Sequence, residues 1–269
     1  MADDWVPPEV DVTKSSPARV YDYGLGGSHN FEVDRAVLDK IKEIFPATPQ
    51  PAMDNRAFLR RAVRFCQERG IRQFLDLGSG VPTVGNVHEI AQQADPEARV
   101  VYVDIDPIAV AHAARILASD DRSAVLRADM RHPESVFADP QVERLLDFDE
   151  PIAVLMVAMA HYLSDEDDPV RILDSYRAVM RPGSYLVFSH MTDEDYPEDL
   201  RRTAEIFNAD TTERMILRGR AEIERLLDGF DLVEPGLVYP ALWRPDGPLA
   251  EEHDPSRAAF FAGVGSPRA

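Results

Sequence analysis

Asp76, Gly78, Ser79, Gly80, Asp104, Asp106 and Asp129 are the residues whose types and spacing could do chemistry in this 269-residue chain. Gly78 and Gly80, with Ser79 between them, follow the apolar run Phe74-Leu-Asp-Leu77. That pattern predicts a buried strand ending in a tight turn. Glycines there take dihedrals closed to other residues and let the backbone come close to a ligand. Asp104 lies about two dozen residues past Gly80, the spacing at which an acid accepts hydrogen bonds from ribose hydroxyls. Asp129, after a further strand, could accept from an adenine amino group. Three consecutive strands thus bring carboxylates to one edge, and the ligand that edge suits is an adenosine.

The turn narrows the choice of adenosine ligand. A nicotinamide dinucleotide wants Gly-x-Gly-x-x-Gly, and Thr83 stands where its third glycine would be. The capping-box pattern Asn86-Val-His-Glu89 sets the following helix later than a pyrophosphate clamp requires. The chain has no Gly-x-x-x-x-Gly-Lys-Ser/Thr, so no P-loop. No arginine or lysine lies in the turn to meet phosphates. An acidic pocket suits a ligand with positive charge and no phosphate, which describes S-adenosylmethionine, a sulfonium with an α-amino group.

The elements that must position these residues alternate regularly. Strands are expected at 72–77, 99–103, 124–127, 152–157 and 184–189. Helices are expected at 86–94, 107–118, 133–146 and 168–180, with Pro107 in a first turn. Such β-then-α alternation implies an α/β fold with a parallel sheet and right-handed crossovers. Ligands then bind outside the carboxyl ends of the strands. Ahead of the sheet, 34–45 and 55–69 read as amphipathic helices, with Pro46, Pro49 and Pro51 between them ending the first. They form a helical extension over 18–70, behind an arm at 1–17, and the nucleotide-binding domain covers 71–269. In the glycine-flexed stretch 18–31, Tyr21 and Tyr23 suggest a lid that closes on a ligand. Residues 192–219 break the alternation as an insertion, with 198–207 helical. A helix at 220–227 and strands at 231–238 and 258–264 close the chain. The acceptor of any reaction is expected to enter between the extension and the insertion. No internal repeat is visible.

Composition excludes several function classes. A net charge of −19 argues against a nucleic-acid footprint, which needs a basic surface. Arg60, Arg61 and Arg64 read as one solvated helix face. Cys66 is the sole cysteine, so no internal disulfide forms, and its place on an apolar helix face makes it a buried thiol. The longest apolar run, 152–160, is too short to span a bilayer. The first residues, Met1-Ala-Asp-Asp-Trp5, carry no signal-peptide pattern. The expectation is a soluble, cytoplasmic protein with no nucleic-acid or membrane partner.

Asp-Leu-Gly-Ser-Gly80, Tyr-Val-Asp-Ile-Asp-Pro107, Ala-Asp-Met130 and Arg-Pro-Gly-Ser-Tyr-Leu-Val-Phe188 together resemble the class I S-adenosylmethionine-dependent methyltransferases. More narrowly, residues 18–31 with Asn55-Arg-Ala-Phe-Leu-Arg-Arg61, Gly78-Ser-Gly-Val-Pro-Thr83, Asn86-Val-His-Glu89 and Trp243-Arg-Pro245 look like an actinobacterial methyltransferase family of unknown function. The frequent third glycine of the class is Pro82 here. The resemblance implies a Rossmann-like fold with a seven-stranded, mostly parallel sheet. It also implies methyl transfer from S-adenosylmethionine to a small-molecule acceptor by direct displacement. It places Gly78, Ser79 and Gly80 along the methionine portion, with Asp76 orienting it. Asp104 holds the ribose, Ile105 packs on adenine, and Asp129 meets the adenine amino group beside Met130. Val157 and Ala158 contribute backbone near the amino group, and Arg56 and Tyr21 come from the extension, Arg56 to the methionine carboxylate.

No catalytic residue is assigned. His161, Tyr162 and His190 are candidates for a base, with a hydrogen-bonded wall residue as the bland reading of His161. Acids 165–168 read as dipole-complementing residues behind a Ser164 cap rather than a magnesium site, and no metal is expected. Two other readings stay open: an NAD(P)-dependent oxidoreductase, and a non-catalytic protein that binds an adenosyl ligand.

Overall fold

A computed structural model describes residues 11–82 and 85–268. Three helices lead: α1 (Pro17–Gly24), α2 (Glu32–Ile44) and α3 (Pro49–Glu68). Then come β1 (Gln73–Leu77), α4 (Val87–Ala94), β2 (Arg99–Asp104), α5 (Pro107–Ile116), β3 (Ser123–Arg127), α6 (Pro133–Phe137), α7 (Pro140–Leu145) and β4 (Ala153–Val157). After these follow α8 (Pro169–Arg177), β5 (Tyr185–Met191), α9 (Pro197–Asp210), α10 (Arg220–Leu226), β6 (Phe230–Leu232) and β7 (Phe260–Pro267). The strands form one seven-stranded sheet in the order β3-β2-β1-β4-β5-β7-β6. Strands β1 to β5 run parallel, and β7 runs antiparallel to both β5 and β6. The order reverses between β1 and β4, and there the loops of an open α/β sheet part to leave a crevice.

Side chains alternate across the strands with period two. Leu75, Leu77, Val101 and Val103 face one apolar cluster, closed by Val136, Ile172 and Tyr176. Phe74, Val100 and Tyr102 face the other, closed by Phe58, Ala62, Val63 and Cys66 of α3. Burial on both faces explains why these strands read as continuous apolar runs. Cys66 is fully buried as expected, and burial pushes its thiol well above the usual range.

Several expectations are corrected. Pro49 and Pro51 open α3 rather than end α2, because the first turn of a helix needs no N–H from them. The single helix expected over 133–146 is two, split where Asp139 caps α7 through the Gln141 N–H at 2.8 Å. The strand expected over 231–238 keeps only Phe230–Leu232, since Pro235 cannot donate to the ladder; an isolated bridge joins Val238 to Ala262. Arg61 is not on a solvated face. It donates to Trp243 O at 2.9 Å and Pro240 O at 2.6 Å, fastening the loop before β7 onto α3. That loop carries Trp243, which is fully buried edge-on to Phe58 and Phe65, both at 5.4 Å.

The N-terminal helices and the insertion are one roof. Val20, Val37, Leu38 and Ile41 of α1 and α2 pack with Leu200, Ala204 and Phe207 of α9. Ser15 and Thr211 form a β-bridge, Thr212 N donates to Ser15 O at 3.2 Å, and Lys40 pairs with Asp210 at 2.7 Å. Extension and insertion thus touch each other along this line, and residues of both, Tyr21 and Glu213 among them, line the cavity below. Trp243→Ala is expected to cost ~3–5 kcal/mol in urea unfolding, the range for large-to-small core changes. A loss below ~1 kcal/mol would show that the loop is not part of the core.

Candidate active site

Under that roof, at the carboxyl edge of β1 to β4, lies a cavity of about 370 Å³. Its wall contains every residue expected at a ligand site: Tyr21, Arg56, Asp76, Gly78, Ser79, Gly80, Asp104, Ile105, Asp129, Met130, Val157 and Ala158. They come from six places in the chain: four are the ends of β1 to β4, which finish at the same edge, and α1 and α3 bring in Tyr21 and Arg56.

The turn after β1 is laid against the end of β2. Gly78 N and Ser79 N donate to Val103 O at 2.7 and 3.2 Å, and Gly80 N donates to Asp104 Oδ2 at 2.7 Å. Gly78 and Gly80 have φ of 71° and 67°, which only glycine adopts without strain. A Cβ on Gly78 would stand 2.1 Å from Met159 Sδ, whereas one on Gly80 would meet nothing within 4 Å. The backbone at Gly80 thus leaves room for a ligand. Ser79 Oγ is buried with no hydrogen-bond partner among the described residues. Thr83, which argued against a dinucleotide, lies outside the described residues.

Asp104 also accepts from Asp106 N at 2.8 Å, so one carboxylate holds both the β1 and the β2 turns. Burial raises its pKa to about 6 against the amides that stabilise its charge. Asp76 is buried too, and no hydrogen bond among the described residues reaches it. Burial raises its pKa to about 7, with Arg56 opposing and Asp104 adding to the rise. Asp129 does not stand free. Arg131 grips its two oxygens, Nε at 2.9 Å from each, and reaches Glu213 at 3.5 Å. Burial opposes, but these bonds hold the Asp129 pKa below the ordinary value.

The roof side was less visible in the sequence. Arg19 is buried, 2.9 Å from Asp34 Oδ2 and 3.5 Å from Asp106 Oδ2, and Ser16 Oγ donates to the same Asp106 oxygen. Asp106 meanwhile caps α5 through the Ile108 and Ala109 N–H groups. A second chain of bonds fixes Tyr21. Ala158 N donates to Ser189 Oγ (2.8 Å), Ser189 Oγ to Asn55 Oδ1 (2.6 Å), Asn55 Nδ2 to Tyr21 Oη (3.2 Å), and Tyr21 Oη to Ala52 O (3.1 Å). The lid expected from two tyrosines has one at the cavity, because Tyr23 turns to Asp39 and Lys42. Asn55 and Ser189 were not foreseen as site residues, although Asn55 heads the run Asn55-Arg-Ala-Phe-Leu-Arg-Arg61 and Ser189 ends the strand expected at 184–189.

Of the three candidate bases, only Tyr162 lines the cavity. Ala158 adopts φ 57° and a 3-10 turn covers Ala160–Tyr162, which sends His161 into the interior, while His190 is buried on β5. Burial keeps both imidazoles neutral, His190 down to about 3. Among acids 165–168, Asp167 accepts from Ser164 N and Oγ, and Asp168 rather than Ser164 caps α8. No helix among the described residues is long and apolar enough to cross a membrane.

Asp76 yields a pH prediction for the ligand-free protein. With a folded pKa of about 7 against an ordinary 3.8, its stabilising contribution is full below 3.8 and lost as pH rises through 7. Asp76→Asn should therefore gain in melting temperature over the native chain progressively between pH ~4 and ~7, with a constant advantage above that. Calorimetric melting temperatures that track in parallel across this window would contradict the raised pKa of this buried acid.

Residues 3–268 match the family described as S-adenosyl methyltransferase. A candidate methyltransferase from Thermobifida fusca is 45% identical with a TM-score of 0.92, over 99% of this chain and 100% of that one. A DUF574 family protein from Streptomyces avermitilis is 38% identical with a TM-score of 0.92, over 96% and 99%. An O-methyltransferase family protein from Burkholderia thailandensis shares 14% identity and a TM-score of 0.50 over 82% of this chain and 60% of that one, a likeness of fold alone. No curated protein matches the chain. A match running nearly end to end, over a Rossmann-like sheet whose loops converge on one cavity, places the chain in the S-adenosyl methyltransferase family, as an S-adenosylmethionine-dependent methyltransferase.

Proposed function

We propose that the cavity holds S-adenosylmethionine along the turns after β1, β2 and β3, and that the methyl acceptor is a small molecule. The observation that carries this reading is the buried Ser79 Oγ, which has no hydrogen-bond partner among the described residues, beside the buried Asp76 carboxylate, which no hydrogen bond among those residues reaches. Unmet polar groups in a cavity wall call for a polar ligand. When bound, the cofactor supplies an electron-poor methyl carbon on a sulfonium sulfur.

The residues present fit such a ligand. Asp76 suits its ammonium group, and Arg56 its carboxylate. Each oxygen of Asp104 uses one lone pair on a backbone N–H, which leaves one apiece for ribose hydroxyls. Ile105, 44% exposed although apolar, offers a flat face to adenine. Asp129, held by Arg131, sits beyond it for the amino group.

Transfer by direct displacement asks mainly for alignment and exclusion of water. The fastened roof serves both. A base is needed only where the acceptor carries a proton at the working pH. Tyr162 is no ready base, because burial holds its hydroxyl well above the usual range; it acts as a donor or an aromatic wall. The roofed cavity favours a small acceptor over a macromolecule, and the net charge of −19 disfavours nucleic acid.

S-adenosylhomocysteine should raise the melting temperature, by the equivalent of ~2.7 kcal/mol when present at a hundred times its Kd. Asp104→Ala should weaken its binding at least ~10-fold, the value of a charge-assisted hydrogen bond. No thermal shift of the native chain at millimolar ligand rejects the reading. Unchanged affinity in both Arg56→Ala and Tyr21→Ala would remove those two residues from the site.

A further inference from the structure

The loop between β4 and α8 is gripped from below by the segment that follows α9. Ile216 N donates to His161 O at 2.7 Å, and Arg218 Nη2 donates to Leu163 O at 2.9 Å. The carbonyls on either side of Tyr162 are therefore both taken by one neighbouring strand of chain. Arg218 is only 5% exposed. Its Nη1 lies 3.1 Å from His190 Nε2, and its Nη2 also reaches Asp165 Oδ1 at 2.7 Å.

The histidine is fixed by this arrangement. A guanidinium has donors only, so His190 Nε2 must be the acceptor. Its Nδ1 carries the hydrogen and donates to Met191 O at 2.7 Å. Arg218 thus bridges the C-terminal end of β5 to the loop that carries Tyr162.

Stability alone does not account for a buried arginine here. Its carboxylate partner Asp165 has a side chain 91% exposed, so the pair gains little from low dielectric. Desolvating a guanidinium is costly, and an apolar side chain of similar volume would pack there more cheaply. What the arginine adds is directional: one planar fork fixes a ring nitrogen, a carbonyl and a carboxylate together. The side chain that benefits is Tyr162. Its ring stacks on Phe207 of α9, with centroids 6.1 Å apart, and lines the cavity. Its electrostatic neighbours are Tyr21, Glu213 and Asp104, from roof, insertion and sheet. No hydrogen bond from the described residues holds its hydroxyl, so its placement depends on the loop beneath it.

We propose that Arg218, through His190 and Leu163 O, is a positioning residue that holds Tyr162 in the cavity wall for the bound cofactor and acceptor. The role at a cofactor rests on the reading above; the clamp itself does not.

The two are separable by fluorine NMR on protein labelled with 3-fluorotyrosine, with Tyr162 assigned by Tyr162→Phe. In the ligand-free native chain Tyr162 should give one sharp signal. In Arg218→Met that signal should broaden or split, while those of Tyr102 and Tyr176, buried in the core, stay unchanged. Arg218→Lys keeps the charge but not the fork and should show the same loss, so it carries the test if the Met variant does not fold. A Tyr162 signal as sharp as the native one in a folded Arg218 variant overturns the clamp. Adding S-adenosylhomocysteine to the native chain should shift the Tyr162 signal. A native signal that ignores bound ligand overturns the cofactor part of the proposal and leaves the clamp standing.

Discussion

Everything at the ligand edge hangs on one buried carboxylate. Asp104 accepts N–H groups from Gly80 and Asp106, and so joins the turn after β1 to the turn after β2. Asp106, fixed in that way, caps α5 with one oxygen and receives Ser16 and Arg19 with the other. Arg19 is shared with Asp34 of α2. A continuous line of charge-assisted contacts therefore runs from the glycine turn, through Asp104 and Asp106, to the roof. Such a buried network is costly to break, because removing one member leaves the others charged and unpaired. It also explains why the roof is docked over this edge and no other.

A second constraint is the joining of roof and insertion. The apolar cluster between α1, α2 and α9, with the Ser15–Thr211 bridge, turns two separate stretches of chain into one cover. Its inner surface presents Tyr21 and Glu213 to the cavity, while its return segment, through Ile216 and Arg218, supports the Tyr162 loop. The wall is thus built from two separate stretches of chain around a sheet-borne floor. This suits a reaction in which alignment and dryness matter more than a resident acid or base.

The floor was legible because strand ends follow from periodicity and glycine punctuation, and parallel topology then brings them to one edge. Placing Asp76, Asp104 and Asp129 at that edge needed nothing more, whereas Ile105 came from the family resemblance. The roof was not, because its contacts join residues distant in sequence: Ser189 to Asn55, Ser16 to Asp106, Arg218 to His190. His161 shows the limit at a single residue. It follows the right strand, yet a left-handed Ala158 and one tight turn point it into the core, and nothing about an alanine announces that conformation. Proline misled in a similar way: Pro49 and Pro51 break a helix when inside it but start one when first in it.

The central claim is that the carboxyl edge of β1 to β3 is the cofactor floor. A crystal structure of the chain with S-adenosylhomocysteine tests it most directly. The account predicts ligand density in the cavity, with ribose hydroxyls on Asp104, adenine against Ile105 and the ammonium group at Asp76. Density at any other place on the molecule, or in the cavity with the adenine and methionine ends exchanged, would contradict it.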